Sequence, residues 1–249
     1  MRHHFLIAFL FLLLPFTQTK AQNHHFWDGI EAFDGPTDEN PILAAQIDSY
    51  FDKLVAPLPD SITLEISRLI ERTESNADLR DFILWHLLEK YQHPEYMSQD
   101  QVFVWIYDQY FSRLEIKDLN ATNRAMIQEK AERLRRLALF NPAPDFKLTV
   151  RNGETIELQS VEGEYIVLFF YDHDCAICQQ EMQDLDSVCA AHPEITALKI
   201  DANDNAEGLD ALYDLYDIET TPLIYVLDRD KRIIAKKIQA KQIELIVKS

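Results

Sequence analysis

Tyr165-Ile166-Val167-Leu168-Phe169-Phe170-Tyr171 runs into Asp172-His173-Asp174-Cys175-Ala176-Ile177-Cys178, and a helical pattern follows. The apolar run predicts a central, buried strand. The two cysteines then fall on the first turn of a helix. Residues three apart on a helix face one side, with Cβ atoms about 5–6 Å apart, and a small adjustment there meets disulfide geometry. Cys175 lies at the positive end of that helix, among N–H groups without helical partners. A thiolate is favoured there, and the thiolate is the nucleophile. Strand, Cys-x-x-Cys and helix together read as a reversible dithiol–disulfide pair.

The surrounding pattern extends this unit into a sheet. Asn141-Pro142-Ala143-Pro144-Asp145-Phe146 cannot continue a helix and divides the chain. Phe146–Val150 and Thr155–Leu158 predict a hairpin, with Asn152-Gly153 as its turn. After the strand 165–171 come a helix over about 176–191, a strand Ile195–Ile200 and a helix over about 206–216. Strands Leu223–Leu227 and Ile233–Ile238 and a short helix from about Lys241 close the chain. Alternation of this kind predicts a mixed sheet covered on both faces.

Residues 40–139 have a different texture, with helical periodicity only. Helices are expected around Ile42–Leu54, over about Ser61–Glu71, and from the cap residue Asn76 to about Tyr91. A fourth opens with Ser98-Gln99-Asp100-Gln101, a capping-box pattern, and a fifth carries Ala125 to Leu137. No internal repeat is evident, and the apolar stripes read as core. Ahead of this domain, Arg2-His3-His4, an apolar Phe5–Phe16 and Thr19-Lys20-Ala21 predict a secretory signal peptide over 1–21. Its apolar core is shorter than the roughly 20 residues that span a bilayer, so no stable membrane insertion is expected after cleavage. Residues 22–39 read as a tail, with His24-His25 inside it. The domain plan is thus 1–21, 22–39, 40–139 and 140–249.

The formal charge is −18, and the leader contributes two cations and no acid. Such an acidic chain repels phosphate backbones, which argues against nucleic-acid binding. Only three cysteines occur, Cys175, Cys178 and Cys189. An exported protein with so few uses one pair for chemistry rather than for stapling. Cys189 follows Cys178 by eleven residues, about 16 Å along a helix, and reads as a buried free thiol.

A second site lies at Glu219-Thr220-Thr221-Pro222-Leu223, where a proline opens a strand. With the strand–Cys-x-x-Cys–helix unit, it resembles the thioredoxin superfamily over roughly 142–249. The resemblance implies an α/β thioredoxin-like fold, here preceded by an all-α helical domain of unassigned role. It implies that Pro222 is a cis-proline packed beside the Cys175–Cys178 disulfide, and that Thr221 offers backbone groups to an extended partner polypeptide. The signal peptide, the Pro-Ala-Pro-Asp-Phe segment, the hairpin and the threonine before the proline are similar to exported TlpA/ResA-type thiol–disulfide oxidoreductases. The implied partners are disulfide-containing exported proteins and a membrane or periplasmic electron donor, in the periplasm. No cofactor is implied beyond the redox-active disulfide, and no metal.

The departures are informative. Asp174 replaces the usual tryptophan, Ala176-Ile177 stands between the cysteines, and Gln183 replaces a helix-kinking proline. Phe169 occupies the position of the buried acid found in many thioredoxins, which leaves Glu181 or water to serve Cys178. Asp172 and Asp174 oppose a thiolate at Cys175, whereas His173 favours it only when protonated. Modest activation is expected, pointing to an electron donor rather than a strong oxidant. One Cys-x-x-Cys supplies two of about four zinc ligands. Sco-type copper delivery needs a later histidine, and none follows His192; haem attachment needs a histidine where Gln179 stands. A peroxiredoxin-like peroxidase shares the Pro-Ala-Pro-Asp-Phe segment, but its threonine before the cysteine is Asp172 here. A non-enzymatic binding module acting through the helical domain is the other alternative. His86, His93 and His192 read as ordinary surface or satisfied core histidines.

Overall fold

The computed structural model describes residues 26–30, 40–149, 155–204 and 206–248. The expected leader, His24-His25 and the Asn152-Gly153 turn lie outside the described residues. The N-terminal half is helical. Its elements are α1 (Pro41–Lys53), α2 (Pro59–Arg72), α3 (Ala77–Gln92), α4 (Asp100–Ile106) and α5 (Ala121–Arg136). Three of these helices start on asparagine caps: Asn40, Asn76 and Asn120 accept N–H bonds from Leu43, Leu79 and Asn123 at 3.1, 3.1 and 2.8 Å. Pro59 opens α2 where no helical N–H is needed. The capping box expected at Ser98–Gln101 does not form. The Gln101 amide instead donates to Leu134 O on α5 at 3.1 Å, and the helix starts at Asp100 with no side-chain cap. α4 runs on into a π-helical turn, Tyr107–Phe111. Within the expected tail, residues 26–30 form a turn that buries Trp27 against Tyr50 in the helical core.

The C-terminal half begins with the hairpin β1 (Lys147–Thr149) and β2 (Thr155–Glu157). Then come β3 (Tyr165–Tyr171), α6 (Ala176–Ala191), β4 (Ile195–Asp201), α7 (Leu209–Tyr216), β5 (Leu223–Asp228), β6 (Ile233–Lys236) and α8 (Ile243–Val247). The main sheet has the order β4-β3-β5-β6, with β3 parallel to β4 and antiparallel to β5. Side-chain alternation along β3 divides its residues between two cores. Ile166, Leu168 and Phe170 meet Leu212 and Tyr216 of α7. Val167 and Phe169 meet Leu185 and Val188 of α6 and Ile243 of α8. Helices on both faces therefore hold β3 rigidly beneath the cysteines.

Two elements are shorter than their sequence pattern suggests. α7 begins at Leu209 because Gly208 adopts φ +96, where a Cβ would lie 2.5 Å from Lys147 O. β6 ends at Lys236 because Lys237 turns to φ 54 and donates its N–H back to Ile224 O at 2.8 Å. The segment joining the halves runs along the edge of β6. Phe140 N–H donates to Ile233 O at 2.7 Å and Ala143 N–H to Lys231 O at 2.8 Å, which covers that edge.

Ion pairs join the two halves. Lys236, with no exposed side-chain area, reaches from β6 to Asp100 of α4 and to the Leu137 carbonyl. Burial pulls its ammonium below the ordinary lysine pKa, while Asp100 opposes that shift. Lys130 of α5 meets both oxygens of Asp217 at 2.9 Å and Glu219 at 2.6 Å. Breaking one side of a buried pair leaves an uncompensated charge. Asp100→Leu or Lys236→Met alone is therefore expected to cost about 3–5 kcal/mol in urea unfolding, and the double substitution much less. Equal losses in the single and double variants would contradict this reading.

Candidate active site

β3 delivers the chain to a tight loop, and α6 receives it. Asp172 accepts the Asp174 N–H at 2.8 Å, which turns the loop so that Cys175 becomes the N-cap of α6. In that position the Cys175 sulfur accepts the Cys178 N–H at 3.2 Å. A sulfur thus fills the role usually held by a serine or aspartate oxygen, and one orphan helix donor is satisfied. Both cysteines are free thiols; Cys175 is half-buried and Cys178 buried.

The two thiols are driven apart in acidity. Cys175 lies below the ordinary cysteine pKa. The Cys178 thiol contributes most by hydrogen bonding, followed by the Cys178 N–H, with a smaller part from the Ile177 N–H. Desolvation and the Asp172 carboxylate oppose this. Cys178 lies above the ordinary value, chiefly through burial and further through the neighbouring Cys175. A backbone group of Asp172 and the Thr221 side chain hydrogen-bond it and partly offset that rise. One half-buried, acidified sulfur beside one buried, protonated sulfur is the division of labour that attack followed by resolution requires.

The structure brings the Thr221–Pro222 segment to this pair. The Thr221–Pro222 peptide is cis, and Thr221 reaches Cys178. Among the described residues, Ile177, Glu181, Pro222, Ile238, His93 and Pro94 contribute to a cleft of about 550 Å³ that starts at the first turn of α6. The other expected residues take more peripheral places. His173 turns its ring to Asp201 at 2.9 Å and to Asp174 at 3.4 Å, and the Asp201 hydrogen bond raises its pKa. Glu181 accepts the Ala240 N–H at 2.7 Å, so one carboxylate oxygen anchors the turn after β6. Cys189 is half-buried rather than fully buried, and burial pushes its thiol up. It packs against the core on the α6 face of the sheet.

Sequence reasoning read His93 as an ordinary histidine and passed over Lys130, Asp217 and Lys236. His93 lines the cleft and pairs with Glu219 at 3.4 Å. His86 and His192 pair with Asp48 and Glu194, each at 3.0 Å, away from the cleft. Burial alone would raise Asp217, but Lys130, Lys237 and Arg133 hold it below the usual carboxylate range. No periodicity or motif marks a lysine in a helix as the partner of a carboxylate 87 residues later.

Residues 140–237 match the model of the AhpC/TSA family. No curated protein matches the chain. A thioredoxin-like protein from Bacteroides caccae superimposes with a TM-score of 0.74 at 16% identity, covering 100% of this chain and 99% of its own. The thioredoxin domain of a thiol-disulfide oxidoreductase from Bacteroides vulgatus is 20% identical over 45% of this chain and 96% of its own, TM-score 0.39. A thiol:disulfide interchange protein from a Bacteroides species is 20% identical over 45% of this chain and 89% of its own, TM-score 0.38. The C-terminal half has a thioredoxin-like fold, and a helical region over residues 41–136 precedes it.

Alkylation by iodoacetamide is expected to modify Cys175 first, with an apparent pKa below the ordinary value of about 8.5. Cys178 and Cys189 are expected to react only at higher pH. Peptide mapping across a pH series reads this, and equal reactivity of all three would contradict it. His173 makes a separate contribution. Because its folded pKa is raised, its pairing adds stability that is complete below the unfolded value of about 6.5 and is lost as pH rises through the folded value. NMR titration should find its midpoint above that of a free histidine.

Proposed function

We propose that this chain is an exported, periplasmic thiol–disulfide oxidoreductase that reduces disulfides in partner proteins. One observation carries the proposal: the half-buried Cys175 sulfur caps α6 by accepting the Cys178 N–H, while the Cys178 thiol is buried beside it. In the first step the Cys175 thiolate attacks one sulfur of a partner disulfide. The partner S–S bond breaks, a mixed disulfide forms, and one partner sulfur leaves as a thiolate. Cys178 then gives up its proton to water or to that thiolate and attacks the Cys175 sulfur. The mixed disulfide breaks, the second partner sulfur leaves, and the Cys175–Cys178 disulfide remains. Two electrons have passed to the partner. A dithiol electron donor in the membrane or periplasm restores the pair: its thiolate attacks Cys175 and frees Cys178, then its second thiol displaces Cys175 and the donor leaves as a disulfide.

The protein's own groups support each stage. Donors from the first turn of α6 stabilise the attacking thiolate, and burial keeps the resolving thiol from competing for substrate. Thr221 and Pro222 offer an extended segment a place to add beside the sulfurs. The Asp172 carboxylate limits how far the thiolate is stabilised, so the reduced form is only moderately favoured and the pair acts as a donor. No cofactor beyond the two sulfurs takes part.

Insulin reduction driven by dithiothreitol tests the reading. Wild type is expected to accelerate it, Cys175→Ser to fall to the uncatalysed rate, and Cys178→Ser to accumulate mixed disulfides with periplasmic proteins. Equal rates in wild type and Cys175→Ser would favour a binding module. Consumption of hydrogen peroxide outpacing insulin reduction would favour a peroxidase.

A further inference from the structure

The cleft at the first turn of α6 does not belong to the thioredoxin-like half alone. Its lining includes Ile177, whose side chain stands out from α6 and is 68% exposed, with Pro222 and Ile238. The helical domain contributes a wall of His93-Pro94, the two residues that follow α3. That wall is held in place. His93 pairs with Glu219 at 3.4 Å, and Glu219 is bound from the other side by Lys130 of α5 at 2.6 Å. Lys130 also grips Asp217. The segment 217–222 is therefore tied to the helical domain at two points just before it reaches the sulfurs.

We infer that His93 and Pro94 are specificity-determining residues, forming the helical domain's share of a groove that receives an extended, disulfide-bearing polypeptide. The inference rests on the thiol-exchange reading given above. Its occupant is a polypeptide with an apolar side chain next to its cysteine. Ile177, Pro222, Ile238 and Pro94 supply the apolar lining, and the His93–Glu219 pair supplies a polar edge for the backbone. A cleft of about 550 Å³ is larger than a bare disulfide fills, and neither cysteine lines it, so its His93–Pro94 side meets only longer substrates. The helical domain thus selects among disulfides without touching the reacting sulfurs.

The test compares two probes, insulin and 2-hydroxyethyl disulfide, on the full chain. In His93→Ala/Pro94→Ala, the ratio of kcat/KM for insulin to kcat/KM for the small disulfide is expected to fall about tenfold, mainly through KM for insulin. His93→Gln, which keeps a polar group at the edge, is expected to recover part of the ratio. Leu64→Ala, on the exposed face of α2, serves as the control for general damage to the helical domain and should leave the ratio unchanged. An unchanged ratio in the His93/Pro94 variant would overturn the inference while leaving the thiol chemistry intact. A parallel fall with both probes would show a structural effect and overturn it too. Wild type inactive on both probes would overturn the thiol-exchange reading itself, and the inference with it.

Discussion

The bond from the Cys178 N–H to the Cys175 sulfur is the contact on which the site depends. It makes a sulfur the cap of α6, so the start of that helix and the ionisation of that thiol are one event. Helix donors that lack partners stabilise negative charge, and here they meet a group that carries it when reactive. The geometry is secured from below by β3. Its five buried residues pack alternately into two cores, so the strand can neither slide nor flip without exposing large side chains. Loop 172–174 inherits that rigidity through its own hydrogen bond between Asp172 and Asp174.

The second constraint is electrostatic and spans the two halves. Lys236–Asp100 and Lys130–Asp217–Glu219 place lysines beside carboxylates in poorly hydrated surroundings. Buried pairs of this kind add little net stability over an apolar contact, but each partner is costly to leave alone. Together they tie α4 and α5 of the helical half to β6 and to residues 217–219. The same contacts hold segment 217–222, so the packing of the helical domain and the shape of the cleft are linked through Lys130, Asp217 and Glu219.

Much of the thioredoxin-like half was legible because its signals are local. The apolar run 165–171, the spacing of Cys175 and Cys178 and the proline before Leu223 each report a backbone state within a few residues. The asparagine caps at Asn40, Asn76 and Asn120 announce helices for the same reason, and Asn76 could be recognised in advance. The misread features depend on distant residues. Gln101 left its expected capping role for a carbonyl on α5, and α7 started late because Gly208 passes close to Lys147. His93 is a surface histidine, as its sequence suggests, but its partner Glu219 lies more than 120 residues away along the chain and could not be read from it. Charged pairing across a fold leaves no period in the sequence, so the helical domain's part in the cleft became visible only in three dimensions.

The most direct test of the central claim is a redox titration of the full chain in dithiothreitol buffers, with the disulfide state read by mass and peptide mapping. The account predicts one two-electron transition that links Cys175 to Cys178, leaves Cys189 free, and lies well below the roughly −120 mV of a strong oxidant. A pair that never closes, or one that closes with a potential near that value, would contradict it.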